Sequence, residues 1–294
     1  MPTEIHASGM IRVVIFSANG EHILSGGKNQ NVQVWRVQDG QRVATMEARD
    51  VRCLAASENG KWITAGTWVG EVVVWGTETY ETVWEYRRDE QGYDNIRGVD
   101  FSPDSTRLIS ASWNRTATVW DVASGKKVRT LHHKDWVIAA RYSQDGDRIA
   151  TATYNGSVRV WDNDDGRLLV DIPVTVTSFY NNGLVWFNNY LFVLSGSTIK
   201  EMDPSTSSIV TEWRVPDSEI YSSIAIPKHG KFIAYSTGQT LTLWDMLSHT
   251  QLGPVQHRGD IKAITISPGD CFLAIGREDG TIITEGLPHF IVST

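Results

Sequence analysis

The side chains in this sequence that could bind metal or act as nucleophiles are chiefly its histidines and cysteines. The chain has eight histidines and two cysteines, Cys53 and Cys271. Its one pair of adjacent histidines, His132 and His133, lacks the ligand spacing of a zinc site. Phosphate-binding Gly-Lys-Ser/Thr loops, Gly-x-Ser-x-Gly elbows and zinc-protease motifs do not occur. We therefore predict no catalytic residue, no metal and no cofactor.

Charge and cysteine content narrow the class of protein further. The 27 basic and 34 acidic residues give a net charge of −7, which argues against binding to a nucleic-acid backbone. Two cysteines do not make a disulfide framework, and we interpret Cys53 as a buried, inert thiol. Neither a secretory signal nor a run of eighteen apolar residues is found. The sequence predicts an intracellular, cytoplasmic protein that does not contact a membrane.

A repeat of about 41 residues runs through the chain. Tryptophans end the same pattern at Trp35, Trp75, Trp120, Trp161 and Trp244, and Asp follows the last three of them. The interval from Trp161 to Trp244 is two periods long, and its midpoint falls at Met202-Asp203. One further period after Trp244 reaches Glu285. Seven copies of one structural unit are therefore predicted.

Each copy contains four short apolar runs that are separated by turn residues. In the fourth copy these runs are Val137 to Tyr142, Arg148 to Thr153, Ser157 to Asp162 and Leu168 to Ile172. β-Branched runs between Asn-Gly and Asp-Gly turns are typical of hairpins. The chain is thus predicted to be all-β, with four strands in each copy.

This pattern resembles the WD-repeat family of seven-bladed β-propellers across essentially the whole chain. The resemblance implies one domain, residues 1–294, in which four-stranded antiparallel blades surround a central channel. It also implies that the five tryptophans of the repeat lie in the core between blades. In this family the N-terminal segment usually completes the last blade, so we expect Pro2 to Ile5 to do so; Phe290 to Val292 are the alternative. The fifth copy is the least regular, and residues 181–190 are interpreted as an insertion between its first two strands.

The resemblance further implies a side-chain network that links a loop His, a second-strand Ser or Thr, a turn Asp and the repeat Trp. Only the fourth copy has candidates for nearly all members: His133, Thr151, Asn155 and Trp161. Asn155 stands where the family usually has Asp, and a neutral amide cannot orient His as a carboxylate would. We therefore expect blade stability to depend mainly on packing.

Propellers usually bind partners through the face that carries the loops entering the inner strands and the turns between second and third strands. On the second to fourth copies these positions carry large aromatic side chains, and on the first three copies they carry basic ones. Trp, Tyr and Arg are enriched at interaction hot spots. The predicted partner-binding residues are Trp68, Trp113, Trp136, Tyr154, Arg52, Arg97, Arg12 and Lys28. Asp260 and Glu278 are expected to make the seventh blade acidic on this face.

The leading hypothesis is a non-catalytic scaffold or recognition module that binds a protein or peptide, with acidic or aromatic-rich segments as the favoured ligands. The chain would act as a monomer or as a recognition domain of a larger assembly. An enzyme with an active site at the channel mouth is one alternative, because a propeller can gather carboxylates there. Carbohydrate binding through exposed tryptophans, with Asn95 and Arg97 beside Trp113, is the other.

Overall fold

The computed structural model describes residues 3–28, 30–87, 94–154, 156–174, 183–195, 198–215, 223–248 and 250–287. In these residues the chain forms 28 β-strands, arranged in seven four-stranded antiparallel sheets. This confirms the predicted all-β fold and the seven blades. The N-terminal strand is β1 (Thr3–His6), and blade one contains β2 (Ile11–Phe16), β3 (His22–Gly27), β4 (Val32–Arg36) and β5 (Arg42–Met46).

The next three blades follow the predicted repeat closely. Blade two contains β6 (Val51–Ala56), β7 (Trp62–Thr67), β8 (Val72–Gly76) and β9 (Thr82–Tyr86). Blade three contains β10 (Ile96–Phe101), β11 (Arg107–Ser112), β12 (Thr116–Asp121) and β13 (Lys127–His132). Blade four contains β14 (Val137–Tyr142), β15 (Arg148–Thr153), β16 (Val158–Asp162) and β17 (Leu168–Ile172).

The fifth to seventh blades complete the ring. Blade five contains β18 (Leu184–Phe187), β19 (Tyr190–Ser195), β20 (Thr198–Asp203) and β21 (Ser208–Arg214). Blade six contains β22 (Ser223–Ala225), β23 (Phe232–Thr237), β24 (Thr240–Asp245) and β25 (Gln251–Gln256). Blade seven contains β26 (Ile261–Ile266), β27 (Phe272–Arg277) and β28 (Thr281–Gly286).

The N-terminal strand closes the ring, as expected. β1 pairs antiparallel with β28, from Thr3 opposite Thr284 to His6 opposite Thr281. It thereby supplies the fourth strand of blade seven and covers an edge that would otherwise be unpaired. The alternative segment, Phe290 to Val292, lies outside the described residues, as does Pro2.

Serine-containing turns join the first two strands of most blades. In blade four the Ser143 hydroxyl accepts a hydrogen bond from the Arg148 N–H at 2.9 Å and donates to the Asp145 carboxylate. The equivalent serines of four other blades make the same bond, in which the hydroxyl accepts the backbone N–H of the residue five positions later. These serines are Ser17, Ser57, Ser102 and Ser267. Backbone donors that the turn exposes are satisfied locally, and the hairpin register is fixed.

The core consists of seven hydrophobic clusters, one between each pair of neighbouring blades in the described structure. Glycines allow the blades to approach closely. A Cβ on Gly26 would lie 2.7 Å from Val51 of the next blade, and one on Gly66 would lie 2.4 Å from Ile96. The fifth residue of these second strands is small because the first residue of the next inner strand packs against it.

Hydroxyl groups anchor three of the repeat tryptophans. The indole nitrogens of Trp35, Trp120 and Trp161 donate to Ser25, Ser110 and Thr151 at 2.8–2.9 Å. Each acceptor stands ten residues before its tryptophan. These rings and that of Trp75 are buried between blades, as the resemblance implied.

Blade four extends this bond into a chain of three side chains. Thr151 Oγ1 lies 2.8 Å from His133 Nε2, and His133 Nδ1 lies 3.2 Å from the Leu131 carbonyl. Because a carbonyl only accepts, Nδ1 carries the proton of the neutral ring, and Nε2 accepts from the threonine hydroxyl. His133 therefore joins the network without a carboxylate. Asn155 lies outside the described residues.

The repeat tryptophan of blade six departs in part from the pattern of the others. Trp244 packs against the hydrophobic cluster between blades five and six, as predicted, but it is only half-buried and borders a surface groove with Thr211 and Trp213. Ala234 occupies the position ten residues before it, so no hydroxyl stands at that position to anchor the indole.

Residues 183–190, the described part of the segment 181–190, are not an insertion between the first two strands of blade five, which corrects that prediction. Leu184–Phe187 is itself the inner strand β18, and a turn through Asn188 and Asn189 joins it to β19. Both turn residues have positive φ, of 47° and 66°, which Asn adopts more readily than most residues. Sequence reasoning failed here because the apolar run Leu184–Phe187 is shorter than the inner strands of the earlier copies.

Candidate interaction surface

A recurring backbone hydrogen bond places aromatic side chains at equivalent positions on one face of the propeller. The N–H of Trp68 donates to the Asp50 carbonyl, that of Trp113 to Asn95, and that of Tyr154 to Trp136, each at 3.0 Å. Each bond ties the turn after a second strand to the loop that enters the inner strand of the same blade. The repeat therefore sets these rings at a common level on blades two to four.

Four of the predicted partner-binding residues form a continuous row of rings, which we call the aromatic ladder: Trp68, Trp113, Trp136 and Tyr154. Trp68 meets Trp113 edge-on, with ring centroids 5.5 Å apart. Trp113 stacks on Trp136 at 4.5 Å with an interplanar angle of 14°. Tyr154 continues the row at 5.8 Å from Trp136. These distances are within the range of favourable aromatic pairs.

The aromatic ladder is accessible to solvent but firmly supported. Trp136 is 39% exposed, and the other three rings are half-buried. Trp113 and Tyr154 pack on the hydrophobic cluster between blades four and five. None of the four rings is fully enclosed between blades, so the ladder keeps the accessibility that a contact surface requires.

The inner strands carry a β-bulge at one shared position. Pairing with the second strand skips a residue between Ile11 and Val13, and the same skip recurs in blades two, three, four and seven. A bulge re-aims the side chain of the extra residue. The residues at this position are Arg12, Arg52, Arg97, Ile138 and Lys262.

Arg12, Arg52 and Arg97 were predicted to bind partners, but their side chains are not exposed at the surface. Arg12 and Arg52 are buried, and Arg97 is only 3% exposed. The bulge directs them inward. Arg52 Cζ lies 4.1 Å from the Trp68 ring centroid, and Arg97 Cζ lies 5.1 Å from that of Trp113. These cations support the ladder through cation–π contacts.

Arg12 has a different partner. Its guanidinium pairs with the carboxylate of Asp50, the residue whose carbonyl holds the Trp68 turn. Arg12 therefore stabilises the loop that enters blade two. Among the predicted binding residues that carry charge, Lys28 alone is exposed, at the blade-one position that corresponds to Trp68.

Two further exposed cations, which sequence reasoning did not select, lie beside the aromatic ladder. Arg115 and Lys134 are exposed next to the ladder segments of blades three and four. Val69 adjoins Trp68 and is 55% exposed, so it extends the apolar surface. These three residues could have been found in the sequence, because each stands within two positions of a tryptophan of the aromatic ladder.

On the seventh blade, a buried lysine lies between the two carboxylates that were expected to make this face acidic. Lys262, at the bulge position, is buried and lies 2.9 Å from Glu278 and 3.6 Å from Asp260. One buried ammonium thus offsets part of the charge of two carboxylates.

Groups that could support catalysis are few in the described parts of the chain. No cluster of three or more His, Cys, Asp or Glu side chains is placed to hold a metal in those parts. Burial raises the pKa of Cys53 to about 12, so its thiol is protonated and unreactive at neutral pH. The described part of the chain also contains no helix that is long and apolar enough to cross a membrane.

Similarity to known proteins agrees with the geometry. Several WD-repeat proteins match segments of the chain. An F-box/WD-40 repeat-containing protein of Arabidopsis thaliana is 24% identical over 136 residues, 43% of this chain and 25% of that protein. WD repeat-containing protein 1 of Xenopus tropicalis is 33% identical over 85 residues, 29% of this chain and 14% of that protein. Periodic tryptophan protein 2 of Arabidopsis thaliana is 29% identical over 133 residues.

The chain spans a quarter or less of the length of these relatives, so the matches describe a domain rather than a whole protein. WD-repeat propellers generally serve as scaffolds that mediate protein interactions. The sequence profile described as "IFT122 first beta-propeller" matches residues 10–285, nearly the whole chain. With seven WD-type blades and this match, the chain belongs to the IFT122 first beta-propeller family.

Proposed function

We propose that this propeller is a non-catalytic recognition module that binds a peptide segment of a partner protein on the aromatic ladder. The observation that carries the proposal is the continuity of the ladder: four rings from three blades are in contact, with centroid distances of 4.5–5.8 Å. Aromatic rings on a rigid scaffold bury large area with little loss of conformational entropy.

The packing within the ladder determines how a ligand would contact it. One face of Trp113 is covered by Trp136, and Arg97 lies over the same indole ring. A ligand therefore meets ring edges and the exposed part of Trp136, together with Val69. An apolar or aromatic anchor residue suits this surface. Carbohydrate binding is less favoured, because a sugar stacks on an open ring face.

Charges around the aromatic ladder favour acidic residues beside that anchor. Lys28, Arg115 and Lys134 are exposed on the ladder side of blades one, three and four. Pairs between exposed charges are weak individually and screened by salt. They would contribute association rate and selectivity more than affinity. The proposed ligand is therefore an acidic peptide segment with an apolar or aromatic anchor.

We further propose that the protein acts in a reducing, cytoplasmic compartment, as a monomer or as part of a larger assembly. Cys53 and Cys271 are both free thiols, one buried and one exposed. Exposed unpaired cysteines are usual where thiols are kept reduced. Localisation of a tagged full-length protein, with secretory and cytoplasmic markers beside it, tests this part independently of the binding site.

Selection of peptides from a random display library tests the proposed function. Peptides would be selected on the wild-type chain and then titrated against Trp136→Ala and Leu247→Ala. Leu247 is the matched control, because it is apolar, 91% exposed and lies in the turn between β24 and β25, far from the ladder.

We expect enriched peptides to contain acidic and aromatic residues and to lose at least about tenfold in affinity on Trp136→Ala, as for a hot-spot residue. Leu247→Ala should bind as wild type does. Equal binding by both variants, or selection of basic peptides, would contradict the proposal.

A further inference from the structure

A pocket of about 210 Å³ lies between blades one and two, on the face opposite the aromatic ladder. Its walls come from the turn after β2, from the first residues of β7 and from the turn between β8 and β9. Most of the lining is apolar, and no Asp, Glu, Lys or Arg of the described structure contributes to it. A cavity of about 150 Å³ encloses one benzene ring. This pocket therefore has room for an aromatic group somewhat larger than benzene.

The pocket is open because a small residue stands in the first turn of blade one. Blades three and seven have Pro103 and Pro268 at the position of Ala18. The Pro103 ring lies 3.5 Å from where a Cβ on Gly146, in the corresponding turn of blade four, would stand, and Pro268 has the same relationship to blade one. The Ala18 methyl group fills less of the space between its blade and blade two, so the gap remains as the pocket.

Tyr80 forms another part of the wall from an unusual backbone conformation. Its φ is 58°, in the left-handed region, where a bulky side chain is uncommon. The outer strand of blade one has Ala44 where those of blades two and three have Trp84 and Arg129, so the Tyr80 ring has room beside it. Residues held in such conformations are concentrated at functional sites. The corresponding turn residue is glycine with positive φ in three other blades, at Gly40, Gly125 and Gly166.

Three polar side chains of the pocket wall have no internal hydrogen-bond partner. His22, Trp62 and Tyr80 are half-buried, and within the described residues none of their side chains makes a hydrogen bond. The rings of Trp62 and Tyr80 also contact no other aromatic ring there, in contrast to those of the aromatic ladder. A neutral imidazole and a phenolic oxygen both accept hydrogen bonds. The pocket therefore offers two acceptors and two aromatic rings that have no partner in the described structure.

We propose that this pocket binds a small uncharged aromatic molecule of the indole class. The fused ring would contact Trp62 and Tyr80, because aromatic pairs are favourable beyond the area that they bury. The ring N–H would donate to the Tyr80 hydroxyl or to the His22 imidazole. A charged molecule would lose its hydration without an opposite charge in the lining to replace it. This site is separate from the peptide surface on the other face and does not depend on the proposed function.

Calorimetric titration of the intact chain with indole tests the proposal. 1-Methylindole, which lacks the N–H donor, and indole-5-carboxylate, which carries a negative charge, are the comparison probes. We expect saturable binding of indole. Binding of 1-methylindole should be at least about fivefold weaker, as for the loss of one hydrogen bond, and binding of the carboxylate at least about tenfold weaker.

A further probe distinguishes a free molecule from a tryptophan side chain of a partner protein. N-Acetyltryptophanamide carries the indole ring on a peptide unit, whose two amide groups would lose water against a mostly apolar lining. It should therefore bind at least about tenfold more weakly than indole.

Variants connect the binding to the pocket. Ala18→Pro introduces the residue that blades three and seven have in this turn, and it should weaken indole binding at least about tenfold by filling the pocket. Gln144→Pro makes the same change at the corresponding exposed position of blade four and should leave binding unchanged. Tyr80→Gly, which introduces the residue of the corresponding turns, should also weaken binding. Thermal unfolding establishes that each variant is folded, and Tyr80→Gly decides the result if Ala18→Pro does not fold.

The proposal is overturned if the wild-type chain shows no saturable binding of indole at millimolar concentration. It is also overturned if 1-methylindole, the carboxylate or N-acetyltryptophanamide binds as tightly as indole does. Undiminished binding by folded Ala18→Pro or folded Tyr80→Gly would show that indole binds elsewhere on the chain, which again contradicts it.

Discussion

The indole of Trp113 lies parallel to that of Trp136, with centroids 4.5 Å apart, although the two residues belong to different blades. Trp113 is anchored by the Asn95 carbonyl of blade three, and Trp136 enters the inner strand of blade four. The stack therefore bridges a blade boundary at the protein surface. We propose that this ring pair contributes to recognition as well as to stability, and the two contributions can be measured separately.

Single substitutions of the two stacked tryptophans should lower the free energy of unfolding by different amounts. Trp136→Ala is expected to lower the free energy of unfolding by only about 1 kcal/mol, because the ring is more than a third exposed. Trp113→Ala should lower it by about 2–3 kcal/mol, because that ring packs on the cluster between blades four and five. Urea unfolding measures both values. A larger loss for Trp136→Ala would mean that its ring is a core residue.

The hydrogen-bond network in blade four should contribute more to the free energy of unfolding than its counterpart in blade one. Thr151→Val leaves both Trp161 Nε1 and His133 Nε2 without their partner, whereas Ser25→Ala leaves only Trp35 Nε1. An unsatisfied buried polar group costs about 1–3 kcal/mol. Urea unfolding should therefore show about twice the loss for Thr151→Val. Equal losses would show that His133 contributes nothing to the network.

His133 should make stability depend on pH. Burial lowers its pKa to about 4, with Arg159 acting in the same direction, so the folded chain holds the ring neutral. The unfolded chain protonates it near pH 6.5. The contribution to stability is therefore complete above about pH 6.5 and is lost as the pH falls toward 4, by about 3 kcal/mol in total.

The difference between wild type and His133→Gln isolates this effect, because other titrating groups, Asp100 among them, cancel in it. Asp100 itself acts with the opposite sign: its folded pKa is raised, so its contribution falls as the pH rises through about 6. Urea unfolding from pH 7 to pH 4 should show the wild-type advantage shrinking. Parallel curves would contradict the assignment of a neutral, buried His133.

Deletion of the N-terminal strand should destabilise the ring. Removing residues 1–8 takes away β1, with the buried Ile5, and exposes the edge of β28. We expect the melting temperature to fall by about 5 °C or more, as for a loss of a few kcal/mol. Removing residues 288–294 is the matched control and should have a smaller effect. The reverse ranking would assign ring closure to the C-terminal segment.

The repeat made the architecture predictable. The turn residues, and the tryptophan in the five copies that have one, recur at the same positions of the repeat. The strands of blade four could therefore be predicted to within one residue of the observed ends of β14 to β17. Met202 and Glu285 were recognised as repeat positions without tryptophan, and they lie in β20 and β28. Blade five was mispredicted because its inner strand is short and its turn consists of Asn188 and Asn189.

The candidate site was predictable in position but not in detail. The aromatic ladder positions follow from the repeat alignment. The burial of Arg52 and Arg97 does not, because it depends on a bulge in the pairing of two strands.

Site-specific photo-crosslinking on the ladder face tests the central claim most directly. A photo-reactive benzoylphenylalanine would replace Val69, next to Trp68, or the control Leu247, in a turn remote from the ladder; both are exposed and apolar. After irradiation in cell extract, the account predicts a discrete crosslinked partner from position 69, lost on Trp136→Ala, and none of that partner from position 247. The same partner crosslinked from position 247 and not from position 69 would contradict the account.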